Sequence, residues 1–255
     1  MAFTEQGRRL VFTRVFEGTT AFRGRPASTI LSVANPNEES IDLTFKLGGM
    51  DQMMASGARS SPLTSTQNRT VPGKGRILES ISDIFGDVEV SSGYVEVDVI
   101  EGVGAIGFEL VSLVNDSTIF GLNAGFQQDS QGLELQGSSE EKIELFSAQL
   151  ASQASDLYTS INLINLSSSL RTVTMTSVGD DGNNLADPAE ITMRPGGVFQ
   201  GDAAEIFSST SSGSNGAVGG TLQGEDRFEG VGSLRVRANG AGVVGDVVFG
   251  GPPGE

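Results

Sequence analysis

Residues 28–47, STILSVANPNEESIDLTFKL, and residues 158–177, YTSINLINLSSSLRTVTMTS, set down one pattern twice. Asn35 falls on Asn165, and the alternating pair Leu43 and Phe45 falls on Val173 and Met175. Further matches come in the same order. TVPGKG (70–75) meets MRPGG (193–197), with Pro72 on Pro195, and ESISDIFG meets GDAAEIFS, with Ile84-Phe85 on Ile206-Phe207. GYVEVDV then meets GSLRVRA, and GVGAIGFELVS meets GAGVVGDVVFG. Matched blocks in one unbroken order mark an internal repeat. The boundaries expected are 1–128 for the first copy, 129–141 for a linker and 142–255 for the second copy. The linker, DSQGLELQGSSEE, is polar, acidic and rich in Ser and Gly, as an exposed connection is. Two stretches do not align and read as loop insertions: MDQMMASGARSSPLTSTQN in the first copy and SSTSSGSNGAVGGTLQGEDRFEG in the second.

Within each copy apolar residues recur at every second position. Leu31 and Val33 alternate with Ser32 and Ala34, and Leu43, Phe45 and Leu47 alternate with Thr44 and Lys46. Val95, Val97 and Val99 alternate with Glu96 and Asp98, while Tyr94 stands out of phase. The second copy repeats this with Val173 and Met175, then with Leu234 and Val236. Strands with one dry and one wet face belong to antiparallel sheets that pack on one side only. Helical character is confined to ESISDIF and DAAEIF, and the Pro-Gly pairs and Asp181-Gly182 are turn chemistry. The expected fold is all-β: two tandem antiparallel β-sandwich domains with short helical turns.

Composition narrows the chemistry. The chain has 255 residues, of which 37 % are apolar, enough for a sizeable core built from Val, Ile, Leu and Phe without any Trp. Its 32 acidic residues against 16 basic ones give a net charge of −16, which repels nucleic-acid backbones and anionic membranes. With no Cys there is no disulfide, thiolate nucleophile or Cys-based metal site, and with no His there is no imidazole base or familiar zinc site. Carboxylate-only chemistry, such as glycoside hydrolysis, survives this count. Carbohydrate sites usually present aromatic platforms, however, and the chain offers only Tyr94 and Tyr158 beside its phenylalanines. No apolar run approaches the ~18 residues of a membrane span. The start, MAFTEQGRR, is polar and has no secretory apolar region.

Three local stretches invite functional readings. GVGAIG (102–107) and GAGVVG (240–245) both satisfy G-x-G-x-x-G, whose glycines bring a helix N-terminus against a pyrophosphate. That chemistry needs a helix afterwards, and FELVSLVNDSTIF has no helical stripe. The reading favoured for both is a hairpin turn, at Glu101-Gly102 and Asn239-Gly240, of the kind that wants positive φ. GDDGNNLADP (179–188) gathers Asp180, Asp181, Asn183, Asn184 and Asp187, resembling an oxygen-ligand calcium loop without its spacing or closing Glu. A plain Asp-Gly turn is the favoured reading. The acidic group Glu140, Glu141 and Glu144 reads as a solvated linker face, and Arg8, Arg9, Arg14, Arg23 and Arg25 as scattered surface charge.

The repeat blocks also resemble a family. The carriers are Thr29-Ile30-Leu31-Ser32-Val33-Ala34-Asn35-Pro36, Val71-Pro72-Gly73 and Gly93-Tyr94-Val95-Glu96-Val97 in the first copy. In the second they are Asn165, Asp181-Gly182, Pro195-Gly196 and Gly232-Ser233-Leu234-Arg235-Val236. The second copy has Leu166 where the first has Pro36, and the first has no Asp-Gly turn. This pattern resembles a tandem immunoglobulin-like β-sandwich repeat found in large secreted and surface proteins of environmental bacteria. The resemblance implies an immunoglobulin-like sandwich and a secreted or cell-surface setting, and it transfers no catalytic residue.

The function expected is therefore a non-enzymatic structural or adhesive module of an extracytoplasmic bacterial protein. No catalytic, cofactor or metal residue is assigned, and the partners expected are a protein, a cell surface or other copies of the chain. The alternative is a carbohydrate- or calcium-dependent binding module using loop tips. One difference between the copies adds an expectation. STIFGLNAGF (117–126) reads as a further strand after the first copy's glycine block, with no counterpart after the second. The second copy is then short of a strand and takes one by β-augmentation, from the N-terminal residues or another chain, favouring head-to-tail assembly.

Overall fold

Period-two patterning becomes strand almost wherever it occurs. The structure is a computed structural model that describes residues 8–22, 25–50, 65–113, 119–123, 125–126, 143–152, 157–208 and 230–250. The chain divides into two units, Met1–Gln136 and Gly137–Glu255. Unit 1 contains β1 (Arg9–Phe22), β2 (Arg25–Ala34), β3 (Ile41–Met50), β4 (Ser65–Val71), β5 (Arg76–Ser80), α1 (Ile81–Phe85), β6 (Val90–Glu101), β7 (Ile106–Leu113), β8 (Ile119–Asn123) and β9 (Gly125–Phe126). Unit 2 contains β10 (Ile143–Ser152), β11 (Tyr158–Asn165), β12 (Arg171–Val178), β13 (Ala189–Met193), β14 (Val198–Asp202), α2 (Ala203–Ser208), β15 (Gly230–Ala238) and β16 (Val243–Gly250). The protein is all-β with antiparallel pairing between the named strands. No helix among the described residues is long and apolar enough to cross a membrane.

The two units share a strand order. In unit 2 a four-stranded sheet runs β10-β15-β12-β13 and a three-stranded sheet runs β14-β11-β16. In unit 1 the same neighbours appear as β1-β6-β3-β4 and β5-β2-β7. There the two sets merge into one nine-stranded sheet, because the far end of β1 also pairs with β2 through Glu17↔Ser28 and Gly18↔Ala27. Each unit's core draws on both sets of strands: Leu31 and Val33 pack with Phe45 and Val97 in unit 1, and Leu163 packs with Met175 and Val236 in unit 2. The alternation read in the sequence is this burial. Leu31, Val33, Leu43, Phe45, Leu47, Val95, Val97, Val173, Met175, Leu234 and Val236 are all buried, and their sequence neighbours on the opposite face are mostly not.

Polar side chains fix the joints in both units. The buried Asn35 amide donates to the carbonyls of Glu39 (2.7 Å), Val71 (3.1 Å) and Pro72 (3.1 Å), while its Oδ1 accepts from the Asn37 backbone N–H at 3.0 Å. Asn165 does the same, donating to Ser169 (2.8 Å) and Met193 (3.0 Å) and accepting from the Ser167 N–H at 3.0 Å. A buried threonine ties the first two strands of each unit. Phe16 N–H donates to Thr29 Oγ1 at 2.9 Å, and Ala151 N–H donates to Thr159 Oγ1 at 2.9 Å. Burying such groups is tolerable because each finds its partners. Helix α1 starts on a capping box, with the Ser80 hydroxyl accepting from Asp83 N–H and the Asp83 carboxylate accepting from Ser80 N–H.

Several sequence readings need correction. The two Pro-Gly loops align one residue away from the expected register, because Gly75 N–H donates to the Pro72 carbonyl and Gly197 N–H donates to that of Arg194. Pro72 thus stands opposite Arg194, and Lys74 (φ 58°) stands opposite Gly196 (φ 67°). Four residues assigned to the first insertion, Ser65–Asn68, belong to β4, and Met50 ends β3; residues 51–64 lie outside the described residues, as do Arg23, the linker at 129–141 and nearly all of the second insertion. Glu144 belongs to β10, in register with Arg237, whereas Glu140 and Glu141 are not among the described residues.

Candidate functional site

The glycine stretches are neither cofactor loops nor hairpins. GVGAIG leads into the strand β7 and GAGVVG into the strand β16, so no helix N-terminus is available for a pyrophosphate. The hairpin fails because β6 and β7 are not hydrogen-bonded neighbours: β6 lies between β1 and β3, and β7 pairs with β2 and β8. Each stretch carries the chain from one set of strands to the other. At the crossing it meets the Asn loop, with Asn37 Nδ2 donating to the Gly104 carbonyl at 2.9 Å and Leu166 N–H donating to the Gly242 carbonyl at 2.7 Å. Gly102 adopts φ 114°, and a Cβ there would sit 2.5 Å from Ile41 Cγ2, so both conformation and space demand glycine. The expected positive φ is absent at Gly240 and occurs instead at Gly242 (φ 94°).

The acidic loop 179–188 is the turn of the β12–β13 hairpin, with Gly182 at φ 81° donating its N–H to the Gly179 carbonyl. Asp180, Asp181, Asn183, Asn184 and Asp187 are all exposed. Asp181 turns both oxygens to its own loop, accepting from Asn183 N–H (3.0 Å) and Nδ2 (2.9 Å), and these bonds hold its carboxyl below the usual range. Among the described residues, no three acidic side chains converge as a cation site would require.

The expected further strand is present: β8 and β9 occupy 119–126. β8 pairs along the outer edge of β7, and β9 pairs with β1 through Leu10↔Phe126 and Val11↔Gly125. One short passage of chain therefore reaches both outer edges on that side of unit 1. Among the described residues of unit 2, β16 pairs only with β11 and β10 only with β15. Between those two edges lies a groove of about 320 Å³ lined by Leu145, Ser147, Leu163, Leu234, Val236 and Val247, with Gly245 and Asp246 at β16. Its size falls at the low end of the ~300–1,000 Å³ typical of ligand pockets, and its lining is mostly aliphatic.

Register identifies what unit 1 holds in the same place. Leu10 pairs with Val97 and Phe12 with Val95, as Leu145 pairs with Val236 and Ser147 with Leu234. Both strands then slip register at the same step, before Val15 in β1 and before Leu150 in β10. Phe12, fully buried, therefore occupies the position of Ser147. On the facing strand Gly107, Glu109 and Val111 correspond to Gly245, Val247 and Phe249, because Val33↔Gly107 matches Leu163↔Gly245. Val111 is 0 % exposed, whereas Phe249 is 42 % exposed. Unit 1 also buries Arg14 and Glu109, with Arg14 N–H donating to Glu109 Oε1 at 3.2 Å; Gln149 and Val247 hold those positions in unit 2.

Charges differ between the units as well. On unit 1, Asp98 accepts from Arg9 Nε (2.6 Å) and Lys46 Nζ (2.6 Å), with Glu96 3.9 Å from Arg9. Burial pushes Asp98 up, but the hydrogen bonds and charges of Arg9 and Lys46 outweigh it and hold the carboxyl below its usual range; Glu96 is raised, chiefly by burial. The corresponding residues of β15 are Arg237 and Arg235, with Glu144 paired to Arg237. A second hollow, about 20 Å³ and lined by Glu17, Gly18, Glu89 and Ser91, has room for little more than a water. Glu17, raised mainly by burial, accepts from Ser28 Oγ there at 3.0 Å.

The groove was not legible in the repeat blocks. Its signal lies in two strands outside their alignment, where RLVFTRVF (9–16) meets ELFSAQLA (144–151) and Phe12 meets Ser147. No family model, curated protein or solved structure matches the chain.

Proposed function

We propose that this chain is a non-enzymatic structural or adhesive module of a secreted or cell-surface protein, built from two copies of one immunoglobulin-like β-sandwich. The observation that carries the reading is the shared strand order of the two units, joined at equivalent points by Asn35 and Asn165 and by Thr29 and Thr159. The polar residues that recur between the units hold turns and strand junctions, which is the work of a scaffold. The copies differ, among the described residues, in the strands paired along one side and in the sign of surface charge, where a scaffold can differ without unfolding. An acidic, repeated, antiparallel scaffold suits a spacer, or a surface that meets a protein or cell-surface partner.

Single-molecule pulling of the full chain tests the scaffold reading. Two unfolding events are expected, each lengthening the chain by on the order of 400 Å for a unit of about 115 residues. One event releasing the entire chain would refute two self-standing copies. Turnover of any substrate in a panel of glycosides, esters and peptides would refute the non-enzymatic part. Retention of chain-coated beads on bacterial or glycan surfaces, against uncoated controls, separates adhesion from a spacer role.

A further inference from the structure

We infer that Asn239 is a site of spontaneous covalent modification, at which the side-chain amide becomes a carboxylate through a cyclic imide closed by the Gly240 nitrogen. The two units differ at this point in two residues. Glu101 precedes Gly102 in the passage from β6 to β7, whereas Asn239 precedes Gly240 in the passage from β15 to β16. A Cβ on Gly102 would lie 2.5 Å from Ile41 Cγ2, and one on Gly240 would lie 3.0 Å from the guanidinium carbon of Arg171. Ile41 and Arg171 hold equivalent positions, since Leu43↔Val99 matches Val173↔Ala238. Unit 2 thus sets an amide and a cation where unit 1 has a carboxylate and an alkyl group.

In the closing step the Gly240 nitrogen loses its proton and bonds to Asn239 Cγ, and ammonia leaves from the side chain. Water then opens the ring at either carbonyl, giving an aspartyl or an isoaspartyl residue without oxidant, reductant or enzyme. The fold favours closure. Gly240 has no side chain to block the approach, and among the described residues no acceptor holds its N–H. In the Asp-Gly turn, by contrast, Gly182 N–H is committed to the Gly179 carbonyl. Asn239 Oδ1 accepts from the Thr172 backbone N–H at 3.1 Å, so a donor already faces the oxygen on which negative charge develops. Arg171 is held beside Gly240 by the bond from its Nε to the Ala241 carbonyl at 2.9 Å. Its positive charge eases loss of the Gly240 amide proton. Asn239 is exposed, so water reaches the imide. An aspartyl product sets a carboxylate beside Arg171. An isoaspartyl product adds a methylene to the backbone where Asn239 N–H donates to the Thr172 carbonyl at 3.0 Å, at the end of the β12–β15 pairing.

The test incubates the full-length chain at mildly alkaline pH and follows it by intact mass and peptide mapping. A synthetic peptide of residues 238–244, ANGAGVV, serves as the unstructured reference. One amide-to-acid change is expected first at Asn239, with aspartyl and isoaspartyl products and uptake of one oxygen from labelled water. The folded chain should convert at least as fast as the peptide, and Arg171→Met should slow it about threefold or more. Should that variant fail to fold, salt gives a second reading: screening the guanidinium should slow the folded chain and leave the uncharged peptide segment unaffected. Conversion led by another asparagine, a folded chain slower than the peptide, or a rate indifferent to both Arg171→Met and salt would overturn the proposal. None of these failures touches the scaffold reading, which stands or falls on the two unfolding events.

Discussion

Unit 1 and unit 2 use one strand order to enclose two different interiors. β1 runs for 14 residues and is buried on both faces from Leu10 to Phe16, whereas β10 runs for 10. Phe12, Arg14 and Glu109 are buried in unit 1, where the Arg14 backbone N–H donates to Glu109, and a two-part strand pairs with β7 and β1. Unit 2 keeps the joints, and among its described residues no strand pairs with the outer edge of β16 or β10. The Asn and Thr junctions recur in both units, whereas the residues at the position of Phe12 and on the facing strand do not.

The strongest test converts one unit toward the other. Phe12→Ser should cost unit 1 about 3–5 kcal/mol, the range for removing a buried aromatic ring. Urea unfolding of the full chain measures the loss, and amide exchange should rise along β1 and β7. If the cost were below about 1 kcal/mol, Phe12 would not be what separates the units.

A second pair of variants asks whether the junctions are equivalent. Asn35→Ala and Asn165→Ala each leave one buried carbonyl, that of Val71 or of Met193, without its amide donor and should cost about 1–3 kcal/mol. Amide exchange should report loosening of residues 25–113 in the first variant and 157–250 in the second. A silent result at either position would break the equivalence.

The reverse conversion should be milder. Ser147→Phe fills an existing groove and should stabilise unit 2 by about 0.5–2 kcal/mol, read as a rise in the urea midpoint without a change in slope. A fall would mean that the groove cannot take a ring from its own strand.

The smallest effect separates the charged faces. Asp98 titrates below the ordinary value of 3.8 in the folded state, so its contribution is present above that value and is lost as pH falls through the depressed one. Asp98→Asn should therefore cost under about 1 kcal/mol at neutral pH, because the group is partly solvated, and nothing in strong acid. Glu96 works in the opposite sense: its raised carboxyl favours the folded state as pH falls toward it. Unit 2, with Arg235 and Arg237 at these positions, should lack both acid responses.

Much of this was legible in the residues. The alternation at Leu43, Phe45 and Leu47 gave the buried face of β3 directly, and Ile84-Phe85 marked a helix whose apolar residues are buried. β1 escaped because burial on both faces erases period two, so RLVFTRV shows no alternation to follow. The hairpin assigned to GVGAIG failed for a different reason. Turn chemistry is local, and the same glycines serve a turn between neighbouring strands and a passage between strands that are not neighbours; only the pairing of β6 with β1 and β3 distinguishes them.

By itself the sequence determined the strands, their dry faces and the recurrence of Asn35 as Asn165, because these depend on neighbours along the chain and on a period of two. Tertiary structure alone decided which strands adjoin and that Ser147 stands at the mouth of an open groove. That groove is bounded by side chains from β10, β11, β15 and β16, drawn from sequence positions about a hundred residues apart, and a void has no pattern of its own to read.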